Sequence, residues 1–164
     1  EPDEGSTFTV VIPFEIDSGA IVNNPSDELD SVSEDLSGLK VLLAEDNHLN
    51  MEIAEFMLTD NGAVVTKAWN GKEALDIFRQ SEPGEFNMIM LDIMMPVMDG
   101  LESAREIRNL NRPDAKTIPI VAMTANAFLD DIRRSREAGM NEHLSKPLDM
   151  QKVAQTVYRF CKTK

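Results

Sequence analysis

The chain has 164 residues, 42% of them hydrophobic, and a formal charge of −13, enough for one domain with a core plus an appendage. That charge argues against non-specific binding to nucleic acid or anionic membrane, and no apolar run approaches the ~18 residues of a spanning helix. No signal peptide is visible and Cys161 is the single cysteine, so no internal disulfide forms and a cytoplasmic setting is expected, whatever anchors the parent protein.

Ten of the 29 acidic residues lie within residues 1–38, which hold no Lys or Arg, whereas the remaining 126 residues set 19 acids against 16 bases. This asymmetry marks a boundary. Residues 1–16 include "STFTVVIPF", a β-like run too short to be a domain. Residues 17–38, rich in Ser, Asp, Asn and Gly, read as an acidic flexible linker. A regular domain is expected over 39–164.

Within it the pattern alternates. "LKVLLAE" is an apolar strand ending in acids. A helix follows, with Leu49, Ile53, Phe56 and Met57 at helical spacing and Gly62 closing it. "AVVTKA" is a short strand, and "NGKEALDIFRQ" a helix with Ala74, Leu75 and Phe78 on one face. "NMIMLD" is another apolar strand. "GLESAREIRNL" is a helix carrying Leu101, Ala104, Ile107 and Arg108. "IPIVAMTA" is a strand, and "LDDIRRSREAG" a solvated helix ended by Gly139. After the short strand "EHLSKP", Asp149 is placed to cap a last amphipathic helix. Five strands alternating with five helices predict an α/β fold, a doubly wound parallel sheet covered on both faces.

In such sheets ligands bind beyond the carboxyl ends of the strands. There the first strand delivers Glu45 and Asp46, the third Asp92, the fourth Thr124 and the fifth Lys146; the second delivers nothing comparable. Converging carboxylates call for a cation, and an all-oxygen donor set favours Mg²⁺ or a similar hard ion. Lys146 is a mobile charge for an anion or for Asp92. A carboxylate, a divalent cation, a Lys and a hydroxyl together make a phosphoryl-acceptor site with Asp92 as nucleophile.

"LLAEDN", "MIMLDIMMPVMDG", "IVAMTAN" and "LSKP", in this order, resemble the response-regulator receiver domain. The resemblance implies a flavodoxin-like sheet ordered 2-1-3-4-5 and makes Asp92 the phosphoacceptor of a two-component phosphorelay. It assigns Mg²⁺ to Asp46, Asp92 and the backbone carbonyl of Met94, with Glu45 contributing, and phosphoryl contacts to Lys146 and Thr124. It places a cis bond between Lys146 and Pro147. It makes Thr124 and His143 the switch pair, the helix "LDDIRRSREAG", the strand "EHLS" and the last helix being the face that responds. A half-buried packing role for His143 stands beside that one. "EGSTFTVVIPF" resembles the closing strand of a histidine-kinase ATP-binding domain, which makes the parent chain a hybrid histidine kinase, a phosphotransferase. The expected partners are the kinase's own phosphohistidine domain or a histidine phosphotransfer protein.

Two alternatives remain at this point. An aspartyl-phosphate phosphatase also uses a strand-end Asp, but the acid/base expected two residues later is Met94. A pseudo-receiver, an interaction module without phosphorylation, usually lacks the acidic pair, the acceptor or the Lys, and all are present here. Other residues have structural readings: His48 as a solvated or capping residue, Trp69 packing at the strand edge, the Met88–Met98 cluster as core and loop filler, Arg133, Arg134 and Arg136 as a solvated face, and Cys161 as a packing thiol.

Overall fold

A computed structural model describes residues 35–125 and 129–161, without the side chains of 129–131. The β-like segment 1–16 and the linker up to residue 34 lie outside the described residues. The compact unit Ser33–Lys164 runs β1 (Lys40–Ala44), α1 (His48–Asp60), β2 (Val64–Ala68), α2 (Gly71–Gln80), β3 (Met88–Asp92), α3 (Gly100–Asn109), β4 (Ile120–Thr124), α4 (Leu129–Glu137), β5 (Glu142–Ser145) and α5 (Met150–Cys161). All four strand pairs are parallel and the order is β2-β1-β3-β4-β5, as expected.

Strand side chains alternate faces, so strands apolar at every position feed two cores. Leu42, Ala44, Ile89, Leu91, Ile120 and Ala122 face α2 and α3, where Leu75, Phe78, Leu101 and Ile107 complete one cluster. Val41, Leu43, Met88, Met90, Val121 and Met123 face the other way, toward Met51 and Leu58 of α1 and Val153 and Val157 of α5. Truncating a fully buried Leu of this kind to Ala costs about 2–5 kcal/mol.

The starts of α1, α2, α3 and α5 each have a side-chain cap. Asn47, Asn70 and Asp99 accept from first-turn amides of α1, α2 and α3. Asp149 accepts from Lys152 N at 2.9 Å, as its position predicted. Gly62 and Gly139, with φ of 92° and 87°, follow α1 and α4 in the left-handed region that other residues avoid.

The helical spacing of Leu49, Ile53, Phe56 and Met57 is matched by α1, but of these four Met57 packs against the core, while Leu49, Ile53 and Phe56 are 64%, 41% and 58% exposed. The helix is apolar on two sides, and it is Met51, Ala54 and Leu58 that pack on the sheet. Leu36 was placed in the linker, but it is fully buried, and its N–H donates to Asn61 O at 2.8 Å.

The loop after β3 carries strain. Met98 N donates to Pro96 O at 2.8 Å, closing a three-residue turn with Val97 at φ 70° in its centre. A β-branched residue is ill-suited to that region. Val97 is also 83% exposed, so its side chain contributes little packing. Val97→Gly is therefore expected to stabilise the domain by about 0.5–1 kcal/mol, the relieved strain exceeding the entropy cost of Gly. Urea denaturation measures it; a less stable variant contradicts the strain.

Candidate functional site

The register brings the sequence-predicted groups to one edge. Ala44 pairs with Leu91, so Glu45 and Asp92 follow side by side on β1 and β3; Thr124 pairs with Ser145, and Lys146 comes next. The backbone continues the ladder past the strands: Ile93 N donates to Met123 O at 3.0 Å and Lys146 N to Thr124 O at 2.7 Å. The Lys146–Pro147 bond is cis, as expected.

Lys146 is the centre of the site. From β5 it reaches back across the sheet, and its Nζ donates to Glu45 Oε2 at 2.5 Å and to Asp92 Oδ2 at 2.7 Å. Glu45 is 1% exposed and Asp92 is buried, whereas Asp46 is open to solvent. Asp92 Oδ1 accepts from Met94 N at 3.2 Å. Carboxylate oxygens of Glu45, Asp46 and Asp92 lie within 4.8 Å of one another, an all-oxygen set that suits a hard divalent cation. Three carboxylates against one ammonium leave a formal excess of two negative charges, which one such ion neutralises.

Burial pushes the Asp92 carboxyl above the usual carboxylate range; Lys146 pulls it back and Glu45 adds to the rise. For Lys146 burial works against the charge, but hydrogen bonds to Asp92 and Glu45 outweigh it and hold its pKa above the ordinary value.

Thr124 is buried at the end of β4. His143 is not at the site. It pairs in register with Ala122, two residues before Thr124, so strand alternation puts His143 and Thr124 on the same face of the sheet. It is half-buried, its N–H donates to Glu142 Oε1 at 3.0 Å, and it borders a cavity of about 340 Å³ against Lys152, Gln155 and Arg159 of α5. His48 begins α1 and its ring lies 4.4 Å from that of Trp69, outside the acidic cluster.

Sequence reasoning missed several supports. The second strand appeared to deliver nothing, yet Gly71 N donates to Met98 O at 3.0 Å and Ser103 Oγ donates to Gly71 O at 2.9 Å, tying α2 to the loop after Asp92. A Cβ on Gly71 would sit 2.6 Å from Met98 O, and one on Gly100 would sit 2.2 Å from Asp92 O. Asn50 Nδ2 donates to Glu45 Oε1 at 3.0 Å. Asn50 falls one helical turn beyond the cap Asn47, a spacing that could have marked it.

Comparison with known proteins agrees with this geometry. The family model for the response regulator receiver domain matches residues 41–158. The aerobic respiration control sensor protein ArcB of Escherichia coli K12 is 36% identical over 163 residues, 99% of this chain and 20% of that protein. The chain thus spans about a fifth of ArcB, and 13% of a rice probable histidine kinase 2 that is 34% identical over 79% of this chain. Among solved structures, the receiver domain of the sensor histidine kinase PA1611 from Pseudomonas aeruginosa, with magnesium in its active-site cleft, is 32% identical with a TM-score of 0.70, covering 77% of this chain and all of that one. The Saccharomyces cerevisiae Ssk1 receiver domain, crystallised with the histidine phosphotransfer protein Ypd1, is 27% identical with a TM-score of 0.66, covering 76% of this chain and 89% of that one.

The crowding of carboxylates has a measurable cost. A carboxyl whose folded pKa is raised is disfavoured when ionised, so the penalty exists at neutral pH and vanishes as pH falls through that pKa. Asp92→Asn is expected to raise the thermal stability of the domain at pH 7. The stability gap between variant and parent should close on acidification. Calorimetric scans across pH test this, and a gap that widens as pH falls contradicts it.

Proposed function

This chain belongs to the response regulator receiver domain family, and from that premise we propose that Asp92 accepts a phosphoryl group from a phosphohistidine. The observation that carries the reading is the Lys146 ammonium shared between Glu45 and Asp92, beside an open Asp46. Such an edge offers a nucleophile, a cation for phosphoryl oxygens and oxygen ligands for a metal. In the transfer the P–N bond to the donor imidazole breaks and a P–O bond to the Asp92 carboxylate forms. The released imidazole keeps the bonding pair and takes up a proton from solvent.

Mg²⁺ would be held by Asp46, Asp92 and the Met94 carbonyl, with Glu45 contributing through water. Bound there, it neutralises charge on the carboxylates and the transferring group. Lys146 swings from Glu45 toward the phosphoryl oxygens, and the Thr124 hydroxyl donates to another. The phosphoryl group brings about −1.5 to −2 charges, and the response passes from Thr124 to His143 and the α4-β5-α5 face. Met94 cannot transfer a proton, which disfavours a phosphatase. The presence of the acidic pair, the acceptor and the Lys disfavours a pseudo-receiver.

The parent protein, on this reading, is a hybrid histidine kinase. Residues 1–16 are the tail of its catalytic domain and 17–38 its linker; the ArcB match, which extends over 99% of this chain, supports this. The donor is the kinase's own phosphohistidine domain or a separate histidine phosphotransfer protein, in the cytoplasm. Among the described residues no helix is long and apolar enough to cross a membrane. The exposed Leu49, Ile53 and Phe56 of α1, on the helix that begins two residues after Asp46, form the surface on which such a donor docks.

Acetyl phosphate with Mg²⁺ should add one phosphoryl group by intact mass, and Asp92→Asn should remove it. Label found on His48 or His143 would overturn the assignment. Phe56→Ser should leave acetyl phosphate labelling unchanged but slow transfer from a phosphohistidine protein by about tenfold, the loss of one interface anchor. Equal slowing with both donors would refute docking on α1.

A further inference from the structure

We propose that Asn50 is a positioning residue of the acceptor site, holding Glu45 so that Lys146 stays poised between Glu45 and Asp92. A carboxylate buried as deeply as Glu45 must have both oxygens satisfied. Oε2 takes the Lys146 ammonium at 2.5 Å. Oε1 takes Asn50 Nδ2 at 3.0 Å and the Asn47 N–H at 3.4 Å. The second contact is beyond the usual range for an N–H···O bond, so Asn50 is the principal partner of that oxygen.

The helix itself does not need this side chain. Asn47 Oδ1 already caps α1, accepting from Leu49 N at 3.0 Å and Asn50 N at 3.1 Å. Asn is a modest helix former, so its presence in the first turn calls for another use. The Asn50 amide is aimed at the most deeply buried carboxylate of the acidic cluster. Without that donor, Glu45 is free to turn about its side-chain torsions, and the ammonium loses one of its two anchors. Lys146 then collapses onto Asp92, where it blocks the carboxylate that must attack and is out of place for the incoming phosphoryl oxygens.

The inference rests on Asp92 as acceptor for its kinetic part only. The test compares the parent, Asn50→Leu and Asn50→Gln. Leu is close to Asn in size and lacks the donor; Ile53 and Leu148, which border the same small cleft as Asn50, give it apolar neighbours. Gln restores the donor. Carbon-detected NMR reads the Glu45 carboxyl and the Lys146 Cε and Nζ in the metal-free domain, and acetyl phosphate labelling at saturating Mg²⁺ reads the rate. Asn50→Leu should shift the Glu45 and Lys146 signals and slow labelling about tenfold, the loss of one hydrogen bond to a charged group. Asn50→Gln should recover both. Unmoved signals, or moved signals with an unchanged rate, overturn the proposal. If Asn50→Leu does not fold, Asn50→Ala takes its place under the same criteria. A parent that takes up no phosphoryl group refutes Asp92 as acceptor and leaves the NMR signals to decide on Asn50.

Discussion

The site depends on one ammonium serving two carboxylates. Lys146 Nζ lies 2.5 Å from Glu45 and 2.7 Å from Asp92, at the edge where β1 and β3 end together. Glu45 is almost wholly excluded from water, and Asp92 nearly so. Unpaired, either charge would be costly there; paired with one shared cation, both persist. The arrangement is nonetheless incomplete in charge, since Asp46 adds a third carboxylate. That residual negative charge makes the edge receptive to a divalent cation.

Around this pair the loops are held by backbone contact rather than bulk. Gly100 lets α3 begin against the carbonyl of Asp92, and Gly71 lets the start of α2 touch the carbonyl of Met98. Buried Ser103 closes the triangle through Gly71 O. The β3-α3 loop is thus pinned at both ends, while Val97 at its tip sits in a strained turn. Rigid attachment of the loop keeps Asp92 in place. Its exposed tip has no packing to lose.

At the opposite end of the sheet, a second, half-buried group of charges ties loops to helix ends. The Arg112 guanidinium pairs with both oxygens of Asp114, lies 4.0 Å over the Phe78 ring and donates to the carbonyls of Phe78, Ser81 and Glu82. A cation at the last carbonyls of α2 is favourable for the same reason as any helix C-terminal cation. Arg108 does similar service for the turn after α4, donating to Gly139 O at 2.9 Å and Ala115 O at 2.7 Å. Half-buried cations therefore stand at both ends of the sheet, and at the Lys146 end three carboxylates gather around one of them.

The sequence alone determined the element order, the parallel sheet, the cap Asp149 and the strand-end groups Glu45, Asp46, Asp92, Thr124 and Lys146. Those features are local: period, turn chemistry and the ends of apolar runs are written in neighbouring residues. What the tertiary structure decided is non-local. It chose which apolar side of α1 is buried, because Leu49, Ile53 and Phe56 compete with Met51, Ala54 and Leu58 and only the sheet surface settles that competition. It drew Leu36 into the core through contact with the end of α1, where composition alone suggested linker. And it joined Asn50, Gly71 and Ser103 to the site, since a hydrogen bond or a close backbone approach between distant segments leaves no periodic trace in the chain and exists only once the strands are in register.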